Sequence, residues 1–364
     1  MRTPLTEVPM RSPSVVAALA GPALRGLVLR RGRRDVTDLR AKNRAHFDWT
    51  YTHDRPDMAK LVAAARRGQW DPAVDLDWAT PVDPLDPSAP ILKESESPLS
   101  EHPGWRKLDP RTRATQSRDL LAWTLAQFLH GEQGALFVAC QVTESVRWTD
   151  GKLYGSTQVA DEGRHVEVFD RYIHEKLEKP YVIDDNLYVV LDALMTDGRW
   201  DLKFLGMQIL IEGLALGAFG TLRHSTDEPL LRELLRLVIT DEARHVHFGV
   251  IALEEHQKEL GERQRRERED WAYEVCVLLR NRFLAHEFYD EHWAHAMSRA
   301  EWDRFVLGTR YMERFRTTMF KRIVPNLKRI GLLSERVRPR YEALGLLRWE
   351  HEKAAPELRA EDLV

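Results

Sequence analysis

Cysteine is scarce in this chain: Cys140 and Cys276 are the only two among 364 residues. Two thiols exclude a disulfide scaffold, a four-cysteine zinc site and an iron–sulfur cluster ligated by cysteine alone, and lead us to expect a reducing, cytoplasmic setting. An excess of one charge is missing too. Lys and Arg number 54 against 57 Asp and Glu, a formal net charge of -3, so no general field draws the chain to nucleic acid. No uninterrupted apolar run approaches the ~20 residues that span a bilayer. The apolar piece near the start, residues 15–24, is broken by Gly21 and Pro22 and makes a poor secretory signal. Strand-like alternation is almost absent, as are a Walker loop, a Gly-x-Gly-x-x-Gly fingerprint and a Gly-x-Ser-x-Gly elbow. The chain therefore carries no nucleotide or flavin signature.

Proline is present but unevenly placed. Pro4, Pro9, Pro13 and Pro22 punctuate residues 1–45, which read as a loosely ordered arm, and residues 25–44 are basic enough for a solvated face. Eight of the 18 prolines fall between Asp71 and Pro110. That density prevents regular helix, while Trp70, Trp78 and Trp105 give the segment reason to wrap against the body. One short helix fits residues 58–68. Beyond residue 111 the pattern is helical: 118–148, 156–177, 185–196, 200–224, 229–256, 262–295 and 299–323. The expected architecture is all-α, a four-helix bundle with additional outer helices. It divides into an N-terminal arm and wrapping segment (1–110), a helical domain (111–330) and a C-terminal tail (331–364).

Two pentapeptides carry the chemistry, Asp161-Glu162-Gly163-Arg164-His165 and Asp241-Glu242-Ala243-Arg244-His245. Each contains Glu-x-x-His, which on a helix sets a carboxylate and an imidazole on one face about a turn apart. A lone Glu-x-x-His is weak evidence, but these two share their flanking Asp and Arg and lie 80 residues apart. Glu132 precedes Glu162 by 30 residues, and Glu212 precedes Glu242 by 30. At ~1.5 Å rise per residue, a helix of some 13 residues out and 13 back brings such a pair to one height. Two hairpins of this kind supply four carboxylates and two imidazoles, the ligand set of a di-iron or di-manganese carboxylate centre. Glu212 sits in an apolar run, residues 208–220, and Glu132 in a similar context. Burying a lone carboxylate costs several kcal/mol unless something neutralises it, and a metal does. Asp161 and Asp241 suit the imidazole N–H groups that metal-bound histidines direct outward, and Arg164 and Arg244 suit acids beneath the site. Beside Glu212, the small residues Gly213, Ala215 and Gly217 with Leu216 leave room. Leu136, Phe137 and Phe169 add apolar walls, so these residues outline either a pocket for a small or acyl-type substrate or tight helix packing. His292 and His295 mark a solvated helix face.

On these motifs the chain resembles the ferritin-like di-iron carboxylate superfamily, over residues 118–258. The similarity is to its oxygen-activating branch: monooxygenase hydroxylases, ribonucleotide reductase small subunits and aminobenzoate N-oxygenases. Gly131-Glu132 and the two Asp-Glu-x-Arg-His runs resemble the hydroxylases most, and residues 70–78 resemble the N-oxygenases. The resemblance implies one metal on Glu132, Glu162 and His165 and another on Glu212, Glu242 and His245, with some carboxylates bridging. Three positions depart from the relatives. Phe169 stands where the reductase subunits carry a tyrosine, with Tyr172 nearby. Leu216 stands where the hydroxylases carry a threonine, and Val238 where the N-oxygenases carry a seventh ligand, a histidine. What the resemblance implies is a non-haem di-iron oxygenase or oxidase that activates O2 to oxidise a small organic substrate. Its electrons would come from an external reductase or ferredoxin, and the outer helices offer surface for a homodimer. The alternatives are a Mn/Fe ligand-binding oxidase and a non-catalytic metal-binding protein.

Overall fold

The computed structural model describes residues 12–359, 362 and 363; Pro4 and Pro9 of the expected arm lie outside them. Among the described residues there is no strand. The bundle consists of α3 (Pro110–Ser145), α4 (Thr149–Tyr172), α6 (Trp200–Ser225) and α7 (Pro229–Glu259). The first and last of these helices start on a side-chain cap followed by proline in the first turn. Asp109 accepts from Thr112 N ahead of Pro110, and Glu228 accepts from Leu230 N and Leu231 N ahead of Pro229. Three residues, Val146–Trp148, join α3 to α4, and Thr226–Glu228 join α6 to α7. The short turns make both pairs antiparallel. Glu132 and Glu162 lie equally far from Arg147 at the middle of the first turn, and Glu212 and Glu242 equally far from Asp227 at the middle of the second. This symmetry is the physical content of the 30-residue spacing.

Helix α6 is long and apolar enough to cross a membrane by length and composition, and 89% of its apolar window is buried inside the protein. It is the central helix of the bundle, so the expectation that nothing approaches that length is corrected here. Its middle, Leu205–Ile211, widens into a π-helical segment immediately before Glu212. A π segment inserts extra backbone into the turn and re-aims the side chains on either side of it.

Around the bundle lie α1 (Pro13–Ala23), α2 (Pro56–Arg67), α5 (Asp185–Thr196) and α8 (Glu262–Asn281). The N-terminal arm is more regular than expected. Pro13 occupies the first turn of α1, where its missing N–H costs nothing, Pro22 falls in the last turn, and Arg25 just beyond pairs with buried Asp192 of α5. The first hairpin turn is also shorter than expected, since α4 begins at Thr149 and not near residue 156. The expected helix over 262–295 breaks at Arg282–Leu284, where Ala285 takes φ 50° and Trp302 Nε1 donates to the freed carbonyl of Leu284. The expected helix over 299–323 divides at Thr309, whose hydroxyl caps the next helix. In these two places a tertiary hydrogen bond or a local cap overrides periodicity. The wrapping segment buries Trp70 and Trp105, and residues 331–364 contribute Leu332, Val337, Tyr341 and Leu346 to the core.

One buried ion pair ties three of these helices together. Arg268 Nε of α8 donates to Asp201 Oδ2 of α6 at 2.9 Å, and His256 Nε2 of α7 lies 3.7 Å from the same oxygen. Burial alone would raise the Asp201 pKa, but hydrogen bonds from His256 and Arg268 hold it down to about 2 from an ordinary 3.8. Its stabilisation is therefore full above pH ~4 and is lost as pH falls towards 2. Asp201→Asn is expected to destabilise the fold by ~1–3 kcal/mol in urea unfolding at pH 7, because it removes the buried carboxylate between Arg268 and His256 and leaves Arg268 only its ion pair with Glu267. Between pH 4 and 2 the variant should lose less stability than the parent does.

Candidate metal centre

The four glutamates and two histidines predicted from the sequence converge in the middle of the bundle, all of them buried. Ligand atoms of Glu132, Glu162, His165 and Glu242 lie within 4.8 Å of one another, as do those of Glu162, Glu212 and His245. His165 Nδ1 faces Glu242 Oε1 at 3.1 Å, Glu132 Oε2 at 3.3 Å and Glu162 Oε2 at 3.4 Å. His245 Nδ1 faces Glu162 Oε1 at 3.2 Å and Glu242 Oε2 at 3.6 Å. Glu162 and Glu242 thus each turn one oxygen towards each imidazole, while Glu132 reaches only the His165 side and Glu212 only the His245 side.

An imidazole nitrogen has one proton at most, so three carboxylates around one Nδ1 are more acceptors than it can serve. The excess shows as orphaned atoms. Glu162 Oε2, Glu212 Oε2, both oxygens of Glu242 and His245 Nδ1 are buried without a hydrogen bond. Donor atoms this crowded, this dry and this unsatisfied fit metal cations. The electrostatics agree. Burial, and then Glu242, push Glu132 up to about 8, and burial raises Glu212 well above the usual carboxylate range. Burial would raise Glu162 as well, but His245 and His165 hold it below that range. Burial lowers the two imidazoles' pKa, and the surrounding carboxylates more than reverse it.

Below the histidines the two hairpins are cross-linked. His165 Nε2 lies 3.2 Å from Asp241 Oδ2, on the other motif, and His245 Nε2 lies 3.2 Å from Asp161 Oδ2. Each aspartate therefore orients the imidazole of the opposite hairpin, turning Nδ1 towards the glutamates. Arg164 pairs with Asp161 at 2.5 Å and reaches Asp241 at 3.4 Å; Arg244 pairs with Asp241. Two residues that sequence reasoning missed complete the layer. Directly after α2, Gln69 Nε2 donates to Asp161 at 2.9 Å and Trp70 Nε1 donates to Asp241 at 2.8 Å. Packing of α2 against α4 and α7 brings them there. Neighbouring motifs in the sequence gave no signal for Gln69, and Trp70 was expected only to pack. Gln158 was missed as well: its Nε2 donates to Glu212 at 2.9 Å and Glu162 at 3.1 Å, joining the hairpins at the level of the glutamates.

The pocket residues fall elsewhere than expected. Phe137 is largely exposed, and Leu136 is on the same outer side of α3. Phe169 is buried behind Phe128 and Phe219. Gly213 and Gly217 face the C-terminal helices: a methyl at Gly217 would meet the Met319 backbone at 2.8 Å, so these glycines serve close packing. Leu216 is buried outside the cavity lining. A narrow cavity does reach Glu132, Glu212 and Glu242, but its walls are Phe128, Gly131, Ala135, Ile211, Ala215 and Phe219, with Gln127 and Arg282 as the polar contributors. On α6, Ala215 and Phe219, one turn and two turns on from Glu212, line this cavity with it. Away from this centre, His292 is satisfied by Asp119 at 2.8 Å, Glu291 by Lys179 and Tyr181, and His295 is exposed.

Trp70→Phe keeps the ring and removes the hydrogen bond to Asp241. Chelator competition should show iron affinity ~10–100-fold weaker, with helical content unchanged. Unaltered affinity would reduce Trp70 to a packing residue.

The p-aminobenzoate N-oxygenase AurF family model matches residues 53–331, well over half of the chain. No curated protein matches it.

Proposed function

The chain belongs to the p-aminobenzoate N-oxygenase AurF family, and from that premise we propose that it oxidises the amino group of a small organic substrate with O2, using two irons held by Glu132, Glu162, His165, Glu212, Glu242 and His245. The broader class is not in question: this is a di-iron oxidoreductase, an oxygenase whose substrates are O2 and a small organic molecule. The observation that carries the ligand assignment is the set of buried donor atoms of Glu162, Glu212, Glu242 and His245 that have no hydrogen bond. These six residues would hold the irons, with Glu132 on the His165 side, Glu212 on the His245 side, and Glu162 and Glu242 facing both imidazoles.

Irons bound there would supply the site of O2 activation and pass on electrons received from an external donor. The protein's own part is orientation and exclusion of water. Asp161 and Asp241 hold the imidazoles by their outer nitrogens, so the inner ones are turned towards the glutamates and become metal donors when they release their protons. Arg164 and Arg244 pair with those aspartates from the outer side, and Gln158 steadies Glu162 and Glu212 without contributing charge. Buried Phe128, Ile211 and Phe219 keep bulk water from the carboxylates, which preserves the strength of every electrostatic contact there. Both reducing equivalents come from outside, since the chain has no flavin or nucleotide signature, and an external reductase or ferredoxin fits that need. The remaining proposals are a homodimer through the outer helices and a cytoplasmic setting, which the two unpaired thiols suit.

Iron analysis after anaerobic reconstitution tests the ligand assignment. About two irons per chain are expected, falling to one or none in Glu132→Ala and Glu212→Ala with loss of substrate-dependent O2 uptake. Retention of two irons and full uptake by both variants would sink it. An amine substrate should gain oxygen at nitrogen, seen by mass spectrometry with labelled O2.

A further inference from the structure

A second cavity lies beyond the metal centre in the seam between α3 and α6. Its walls follow the helical period. Leu120, Thr124 and Phe128 of α3 stand one turn apart and lead to Glu132, a run of ~18 Å at ~1.5 Å per residue. On α6, Leu222 and Ala218, then Ala215 of the inner cavity, lead in the same way to Glu212. Phe283 and the helices Arg299–Gly308 and Arg310–Met319 close the remaining side. Leu120, Thr124, Glu96 and Tyr311 are the partly exposed members of the lining, so the end they form faces solvent.

Little in this cavity would hold water. Thr124 and Ser225 direct their hydroxyls to the carbonyls of Leu120 and Thr221. Trp123 Nε1 donates to Glu287, Trp302 Nε1 donates to the Leu284 carbonyl, and Glu96 pairs with Arg314. A buried water needs ~2–4 polar partners, and apolar cavities that lack them stay dry. Size is equally selective. The cavity volume is about 50 Å³, whereas an apolar cavity that takes benzene measures ~150 Å³. A diatomic gas fits there and an aromatic or acyl substrate does not. The inner space beside Glu132, Glu212 and Glu242 is smaller still, about 10 Å³. Phe128 is the one described residue that lines both spaces, and its ring packs edge-to-face on Phe219 with centroids 4.7 Å apart.

We propose that this cavity gathers O2 from solvent and delivers it to the metal centre past Phe128, by a route that the organic substrate does not share. This rests on the oxygenase reading above and assigns residues to one of its two substrates. O2 is apolar and partitions into dry apolar space, from which water and charged reductants are kept. A turn of the Phe128 ring, of the kind that packed side chains make, joins the two spaces without moving a helix.

Xenon, a small apolar gas, probes the cavity without any turnover. Xenon-pressurised crystals of the metal-free protein should hold a xenon atom against Phe128, Leu222 and Phe283. Two substitutions fill the space away from the metal ligands, Ala218→Leu and Leu222→Phe, so that one serves if the other fails to fold. Each should lose the xenon and keep about two irons per chain. Each should also slow oxidation of the ferrous protein by limiting O2 tenfold or more in stopped flow. Phe128→Leu opens the passage and should leave that rate unchanged or raise it. No xenon in the parent cavity, an unchanged rate in the filled variants, or a tenfold fall in Phe128→Leu as well would overturn the proposal. Iron counts separate it from the reading it rests on. A parent that binds no iron, or binds two and does not react with O2, refutes the oxygenase assignment. Two irons oxidised at the parent rate with the cavity filled refute only the route.

Discussion

Four carboxylates cannot share the dry centre of a helical bundle unless cations meet them. Glu132, Glu162, Glu212 and Glu242 are all buried, and among the described residues the cationic groups within hydrogen-bonding range of them are the imidazoles of His165 and His245. Everything nearby is arranged around that constraint. Charge alternates outward from the centre: glutamates, then imidazoles, then Asp161 and Asp241, then Arg164 and Arg244 at the edge of solvent. Each layer makes the burial of the previous one tolerable, and each pairing is by hydrogen bond as well as by charge, which is the condition under which buried ions cease to be a liability. The one place where the alternation stops short is the innermost layer, and there the donor atoms are orphaned. A metal centre is what the alternation lacks.

The two hairpins are not independent supports for this arrangement. Each His–Asp contact crosses from one hairpin to the other, Gln158 crosses again at the glutamates, and Gln69 and Trp70 hold both aspartates from a single dipeptide. The relative height of the hairpins is therefore set by six or so polar contacts, with the apolar faces of α3, α4, α6 and α7 supplying the bulk of the burial. That division of labour explains why the proline-rich segment is held against the body. Without the chain around residue 70, Asp161 and Asp241 would lose their outer donors and the imidazoles their fixed orientation.

The ligand-bearing part of the site was legible because its geometry is local and repeated. A helix hairpin with a three-residue turn converts the distances 132 to 162 and 212 to 242 directly into shared height, and Glu-x-x-His converts directly into a shared face. What escaped the sequence depends on contacts between distant segments. Gln69 and Trp70 reach residues more than 90 positions away, and no period or motif announces them. The small residues beside Glu212 fit either a pocket or tight helix packing by sequence, and only the tertiary structure shows Gly213 and Gly217 packed from outside by the C-terminal helices. Arg282 was hidden in a stretch whose periodicity continues to residue 295, and only the break at 282–285, set by a tryptophan hydrogen bond from residue 302, turns its side chain inward.

The site is polar in one direction and nearly bare in the other. Beneath the imidazoles lie aspartate, arginine, glutamine and tryptophan, joined to one another by hydrogen bonds. Towards the cavity the walls are phenylalanine, isoleucine, alanine and glycine. The positions at which the resemblance led one to expect further polar groups are likewise apolar and buried here: Phe169, Leu216 and Val238. With no hydroxyl and no seventh donor at those places, the protein has few means of telling one organic molecule from another by hydrogen bonding near the metals. Gln127 is already engaged, accepting from Asp184 N and donating to the Val182 carbonyl. Shape and one charge remain, and the charge sits on Arg282. The cavity beside the carboxylates is therefore defined by an apolar wall that includes Phe128 and by a single guanidinium, not by an array of hydrogen-bonding side chains.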